Sequence, residues 1–128
     1  MPHIILEYSS NLGDAAALAY LLDRLHDALG DTESFESERI KSRAVRCDTY
    51  HVGADRRGFV HATVLFSAGR PEALRRQVAR RLLDIMRSDA ALGGADIANS
   101  VEIRQFEPGM YATERDTADF SNRCAPES

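Results

Sequence analysis

The sequence predicts an α/β fold of two successive βαβ units, giving a four-stranded mixed sheet with two helices on one face. Three observations lead there. Two stretches, residues 13–29 and the one opening at Pro71, repeat apolar residues at spacings of three and four, the period of a helix with one buried face. Each is bracketed by short segments rich in residues that favour strands. The resulting strand–helix–strand order occurs twice, over halves of similar length at about 1–52 and 53–107. Residues 1–107 therefore read as one domain, and 108–128 as a C-terminal extension, partly ordered.

The first strand is expected at 3–8, around Ile4, Ile5 and Leu6. Asn11 reads as the cap of the first helix, with Asp14 placed against the exposed amides of its first turn. Leu18, Leu21, Leu22, Leu25 and Leu29 form its buried stripe, and Gly30 is its terminator. A polar loop at 31–39 leads to a second strand at 40–50, one face of which carries Lys41, Arg43, Val45, Cys47 and Thr49. After a turn region at 53–58, the third strand covers 59–66. Pro71 suits the first turn of the second helix, where its missing N–H costs nothing; Leu74, Val78, Leu82, Ile85 and Met86 make the stripe. Gly93 and Gly94 close that region, and the last strand is expected at 100–106. Phe106, Met110, Tyr111 and Phe120 are available to anchor the tail.

Two helices on one face leave the other uncovered. Ile5, Val60, Ala62, Val64, Val101 and Ile103 make the strands too apolar for both faces to meet water, which points to an oligomer.

Composition excludes several classes. With 44% apolar and 28% charged residues, the 128-residue chain is ordinary for a soluble globular protein. No run of 18 apolar residues could span a membrane, and no basic segment precedes a long apolar one at the N-terminus. Cys47 and Cys124 give no secreted disulfide pattern and read as free thiols in a reducing compartment. The net charge of −4 is unevenly spread: residues 36–89 hold seven acids and twelve bases. The second helix contributes Arg75, Arg76, Arg80, Arg81 and Arg87, without the interleaved aromatics of a nucleic-acid surface, so a solvated or ion-paired face is expected. His3, His26, His51 and His61 lack zinc-motif spacing; His3 and His61 alternate within strands and could meet across the sheet, with packed, hydrogen-bonded histidines the default reading, and His26 is read as a surface or boundary residue. Neither a nucleotide-binding glycine loop nor a nucleophile elbow is present.

Pro2 has the sharpest chemical reading. Removal of Met1 would leave a secondary amine on a rigid ring at the start of a core strand. An α-amine has a pKa of about 8, and nearby cations would lower it toward the working range of a general base. Arg43, in the second strand, and Arg70, at the junction of the third strand and second helix, are suited to planar capture of carboxylates. Lys41 adds positive field from the strand face of Arg43.

These residues lie in an ordered set of segments: Met-Pro-His-Ile-Ile-Leu-Glu-Tyr-Ser-Ser-Asn at 1–11, Ile-Lys-Ser-Arg at 40–43, Asp-Thr-Tyr at 48–50, Phe-Val-His-Ala-Thr-Val at 59–64 and Ala-Gly-Arg at 68–70. The set resembles the 5-carboxymethyl-2-hydroxymuconate isomerase family of the tautomerase superfamily, from residue 1 to about 107. The resemblance implies a tautomerase-like fold, a homotrimer and an amino-terminal proline, here Pro2, as proton carrier. It implies Arg43 and Arg70 as carboxylate-binding residues. Lys41 stands where the family commonly has arginine, which keeps the charge and loses the planar fork. Pro71 follows Arg70 where a small hydroxyl residue is familiar. The implied substrate is a small di- or tricarboxylic acid carrying a 2-hydroxy-diene, isomerised to its conjugated 2-oxo form. The implied chemistry uses no cofactor and no metal, and the setting is cytoplasmic breakdown of aromatic acids, with neither membrane nor nucleic acid as partner. Action on another carboxylated 2-hydroxydienoate, and a non-enzymatic ferredoxin-like ligand-binding domain, are the alternatives.

Overall fold

Both apolar stripes close over one side of a single sheet. The computed structural model describes residues 1–53 and 56–114. The elements run β1 (His3–Ser9), α1 (Ala15–Gly30), β2 (Lys41–Cys47), β3 (Gly58–Ser67), α2 (Glu72–Ser88) and β4 (Ile97–Phe106), with short 3-10 turns at Ser10–Leu12 and Ser37–Arg39. The sheet order is β2-β1-β3-β4; β1 pairs with β2 and β3 with β4 in parallel, while β1 and β3 are antiparallel. The two strands of each βαβ unit are thus direct neighbours, which rules out the split units of a ferredoxin-like sheet. Among the described residues, no helix is long and apolar enough to cross a membrane.

Strand parity decides which side chains the helices cover. Ile4 faces Val64 and Leu6 faces Ala62 across the β1–β3 ladder, and all four are buried. They form one core with Leu18, Leu21, Leu25 and Leu29 of α1 and Val78, Leu82 and Met86 of α2. Removing such side chains from water is the main stabilising term, at about 1.5–3 kcal/mol for each large apolar residue.

The same parity corrects the interface expectation. Val60, Ala62 and Val64 are buried, and Val101 and Ile103, beside Ala62 and Val64, pack on the same core. Among the six residues counted toward an exposed apolar sheet, Ile5 alone alternates to the open face. It shares that face with His3, Glu7, Lys41, Arg43, Val45, His61 and Leu65, a largely polar surface. Strand composition records apolar content; the covered face becomes known only once the strands pair.

The helix ends differ from their expected form in small ways. Asp14, rather than Asn11, caps α1: its carboxylate accepts from the amides of Ala16 and Ala17 at 3.0 and 3.2 Å. Asn11 instead donates from its side-chain amide to the Arg57 carbonyl at 2.6 Å, and the Phe59 amide donates to Ser9 Oγ, which fixes the start of β3. Gly30 is the last helical residue, and Asp31 follows in right-handed geometry, so no left-handed glycine ends α1. Pro71 is the N-cap of α2, one residue before its first turn.

Other expectations resolve at the side-chain level. His3 pairs in register with Leu65 and His61 with Glu7, so the two histidines do not meet. His26 is part-buried, hydrogen-bonded to Ser42 Oγ at 2.6 Å and to the Ser37 carbonyl at 3.3 Å. On α2, Arg76 pairs with Glu72 and Arg81 with Asp31. Cys47 is a free, half-buried thiol; Cys124 and Phe120 lie outside the described residues.

Candidate functional site

Four chain segments meet at one end of the sheet. Because β1 and β2 are parallel, their starts are neighbours: His3 is in register with Lys41, and the Lys41 amide donates to the Pro2 carbonyl at 2.9 Å. Because β3 runs antiparallel to β1, its C-terminal end lies here too, with Leu65 opposite His3 and Phe66 next beyond it. β4 ends at the same edge, Phe106 beside Ser67, and the following segment brings Tyr111 back to β1. Topology alone therefore gathers Pro2, Lys41, Arg43, Arg70 and Tyr111 from across the chain.

Pro2 is buried at this edge. The Met1 ammonium donates to the Arg39 carbonyl at 2.9 Å, and in this form the Pro2 nitrogen is a tertiary amide without basicity. Freed of Met1, the same nitrogen becomes the chain's terminal amine.

Lys41 and Arg43 are exposed on the open sheet face that carries His3. An Arg43 guanidinium nitrogen, Nη1, donates to His3 Nδ1 at 3.2 Å, and His3 Nε2 lies 3.0 Å from the Tyr111 hydroxyl. The His3 and Tyr111 rings meet edge-on, and Tyr111 also packs on Phe106 with ring centres 4.8 Å apart. Burial, followed by the amino-terminal charge, Arg43 and Lys41, holds the His3 imidazole below its ordinary value of 6.5.

Arg70 is built in more tightly. Gly69 adopts φ +106°, a conformation that side chains rarely allow, as the chain leaves β3. From there Arg70 turns back over Phe35 and Phe66, at 4.5 and 5.3 Å from the two ring centres. Its Nη1 donates to Ser67 Oγ and the Ser67 carbonyl, and its Nη2 donates to the Ser34 carbonyl at 3.3 Å. Its buried Nε has no partner among the described residues. Burial lowers the Arg70 pKa, yet a guanidinium stays charged in a protein. Arg70 thus supplies positive charge at the Pro2 edge while fastening the α1–β2 loop to the end of β3.

A family model for 5-carboxymethyl-2-hydroxymuconate isomerase matches residues 2–117. The chain belongs to the 5-carboxymethyl-2-hydroxymuconate isomerase family. It is 30% identical over 114 residues to 5-carboxymethyl-2-hydroxymuconate Delta-isomerase of Escherichia coli, covering 86% of this chain and 90% of that protein. The fold is similar to that of a 5-carboxymethyl-2-hydroxymuconate isomerase from Deinococcus radiodurans R1, with a TM-score of 0.75, 25% identity and 93% of each chain covered. A macrophage migration inhibitory factor-like protein from Entamoeba histolytica shares the fold at a TM-score of 0.67, 10% identity and 88% and 95% coverage.

In this isomerase family member, a surface cavity of about 830 Å³ lies elsewhere, beside Asp84, Arg87 and Asn99, and none of the Pro2-end residues lines it. Volume alone is a poor guide here, because that cavity offers no free amine and its cations are Arg56 and Arg87. Sequence reasoning reached Pro2, Lys41, Arg43 and Arg70, which do share one end of the sheet. His3 is the packed, hydrogen-bonded histidine expected and Tyr111 does anchor its segment, on Phe106; their contact with each other is what the sequence does not show. His3 was recoverable as the neighbour of Pro2 on the strand face of Lys41 and Arg43; no local signal marks Tyr111, which meets His3 across 108 positions.

Proposed function

We propose that the protein isomerises 5-carboxymethyl-2-hydroxymuconate, or a close carboxylated 2-hydroxydienoate, with the Pro2 amine as proton carrier after Met1 is removed. The observation that carries this reading is the gathering of Pro2, Lys41, Arg43 and Arg70 at one end of the sheet in a member of this family. A dienol acid needs a base near its hydroxyl and cations near its carboxylates. Pro2 takes the proton from the 2-hydroxyl, leaving a dienolate, and the prolinium returns a proton to the distal carbon of the diene. The product is the conjugated 2-oxo isomer; one O–H bond is exchanged for one C–H bond, with no change of redox state.

The cations serve two purposes. Arg43 and Arg70 hold terminal carboxylates, with Lys41 adding charge, and together they stabilise the dienolate. They also disfavour the protonated amine and bring its pKa toward neutrality. Arg43 is the more accessible fork, since Arg70 already donates to Ser34 and Ser67. The reading carries with it a homotrimer in which neighbouring subunits wall this end of the sheet, and a cytoplasmic setting.

The test is ultraviolet spectroscopy of dienol-to-enone conversion by purified protein whose N-terminus has been established by mass spectrometry. Turnover that falls strongly in Arg43→Ala supports the reading. Correctly processed protein inert toward several carboxylated dienols overturns it.

A further inference from the structure

The contacts around His3 assign its hydrogens. A guanidinium has only donors, so His3 Nδ1 must be the acceptor toward Arg43 at 3.2 Å. In a neutral imidazole the other nitrogen then carries the proton, and Nε2–H donates to the Tyr111 oxygen at 3.0 Å. Neutral is the favoured form here, since burial disfavours a charged ring and Arg43 and Lys41 add to that on the same sheet face. The Tyr111 oxygen is therefore occupied as an acceptor by His3, while its own O–H is not used by that contact. The ring is held on two sides, by Phe106 and by the edge of His3, so the hydroxyl is fixed rather than swinging.

We propose that Tyr111, positioned by His3, donates a hydrogen bond to the 2-oxygen of the dienolate formed when Pro2 removes its proton. This rests on the reading of Pro2 as proton carrier. His3 directly follows Pro2, whose Cα lies about 3.8 Å away along the chain. The Arg43–His3–Tyr111 chain thus lies on the open face with Lys41, at the end of the sheet where Pro2 begins β1. A donor fixed before reaction, aimed at an oxygen that gains charge, stabilises the transition state more than the ground state. His3 is a positioning residue in this scheme: with Arg43 behind it, it fixes the tautomer that turns Tyr111 into a donor toward the substrate.

The experiment measures kcat and KM for 5-carboxymethyl-2-hydroxymuconate with protein of verified N-terminus. Wild type is compared with Tyr111→Phe, His3→Leu, His3→Gln and the Tyr111→Phe/His3→Leu double variant. Tyr111→Phe keeps the ring contacts and removes only the hydroxyl; kcat should fall roughly 10–100-fold, with KM changed less than about threefold. His3→Leu should lower kcat in wild type but add less than about twofold in the Tyr111→Phe background, because both act through one hydroxyl. His3→Gln, which retains an N–H, should recover most of the rate. Nitrogen NMR of the His3 ring should show the proton on Nε2, a readout independent of turnover. A Tyr111→Phe kcat within about twofold of wild type overturns the proposal, as does an Nδ1–H tautomer or full additivity in the double variant. Active wild type with an unimpaired Tyr111→Phe sinks this inference alone; inert wild type sinks the Pro2 reading and this inference with it.

Discussion

The guanidinium carbon of Arg70 lies 4.5 Å from the centre of the Phe35 ring, so a residue before β2 is stacked on one that follows β3. Phe35 is itself packed on Phe66, with ring centres 5.1 Å apart. Arg70→Ala should therefore lower stability as well as turnover. Loss of the stack and of the bonds to Ser34 and Ser67 should cost about 1–3 kcal/mol in denaturant unfolding. Arg70→Lys should recover little of it, because an ammonium cannot reproduce the planar fork. An Arg70→Ala variant with wild-type stability would show that these contacts contribute nothing.

The cap of α1 gives a sharper stability test. Asp14→Ala should cost about 1 kcal/mol, since it frees the amides of Ala16 and Ala17. Circular dichroism melts of Asp14→Ala and wild type measure this, and an unchanged midpoint would remove Asp14 from that role.

Sequence and structure agree best where periodicity speaks. Leu18, Leu21, Leu25 and Leu29 of α1 and Val78, Leu82 and Met86 of α2 are buried as their spacing requires, with Leu22, Leu74 and Ile85 partly buried at the margins of the stripes. Cap identity was harder, because Asn11 and Asp14 are both good capping residues and only the path of the chain through the 3-10 turn separates them. The apolar strands misled differently: Val60, Ala62 and Val64 looked like surplus for a second face, but pairing turns all three toward the helices. At the site, Pro2 and the cations were legible as residue types, whereas the Arg70 stack on Phe35 and the His3–Tyr111 contact exist only after distant segments meet.

His3 offers a pH test. Its folded-state value lies below the ordinary 6.5, so as pH falls the unfolded chain takes up this proton first. Stability from His3 is thus complete above about pH 6.5 and is lost as pH falls from there toward the folded value. Proton NMR should place the His3 midpoint below 6.5, and urea unfolding at pH 7.5 and 5.5 should show a smaller difference for His3→Gln than for wild type. A midpoint at or above 6.5 would contradict the assignment of its surroundings.

Light scattering addresses the assembly. The homotrimer that goes with the proposed function predicts a particle of three 14.2 kDa chains at working concentration. A persistent mass of 14.2 kDa would contradict it.

The base itself is tested most directly by comparing two forms of the same chain, one beginning at Pro2 and one retaining Met1, each verified by intact mass, in the ultraviolet assay with 5-carboxymethyl-2-hydroxymuconate. Retention of Met1 converts the Pro2 nitrogen to an amide and leaves Arg43, Arg70 and Tyr111 in the sequence. The Pro2 form should turn over the dienol with a kcat/KM at least about 100-fold above the Met1 form, in keeping with the contribution of a positioned general base. Equal kcat/KM for the two forms would show that the Pro2 amine does not carry the proton.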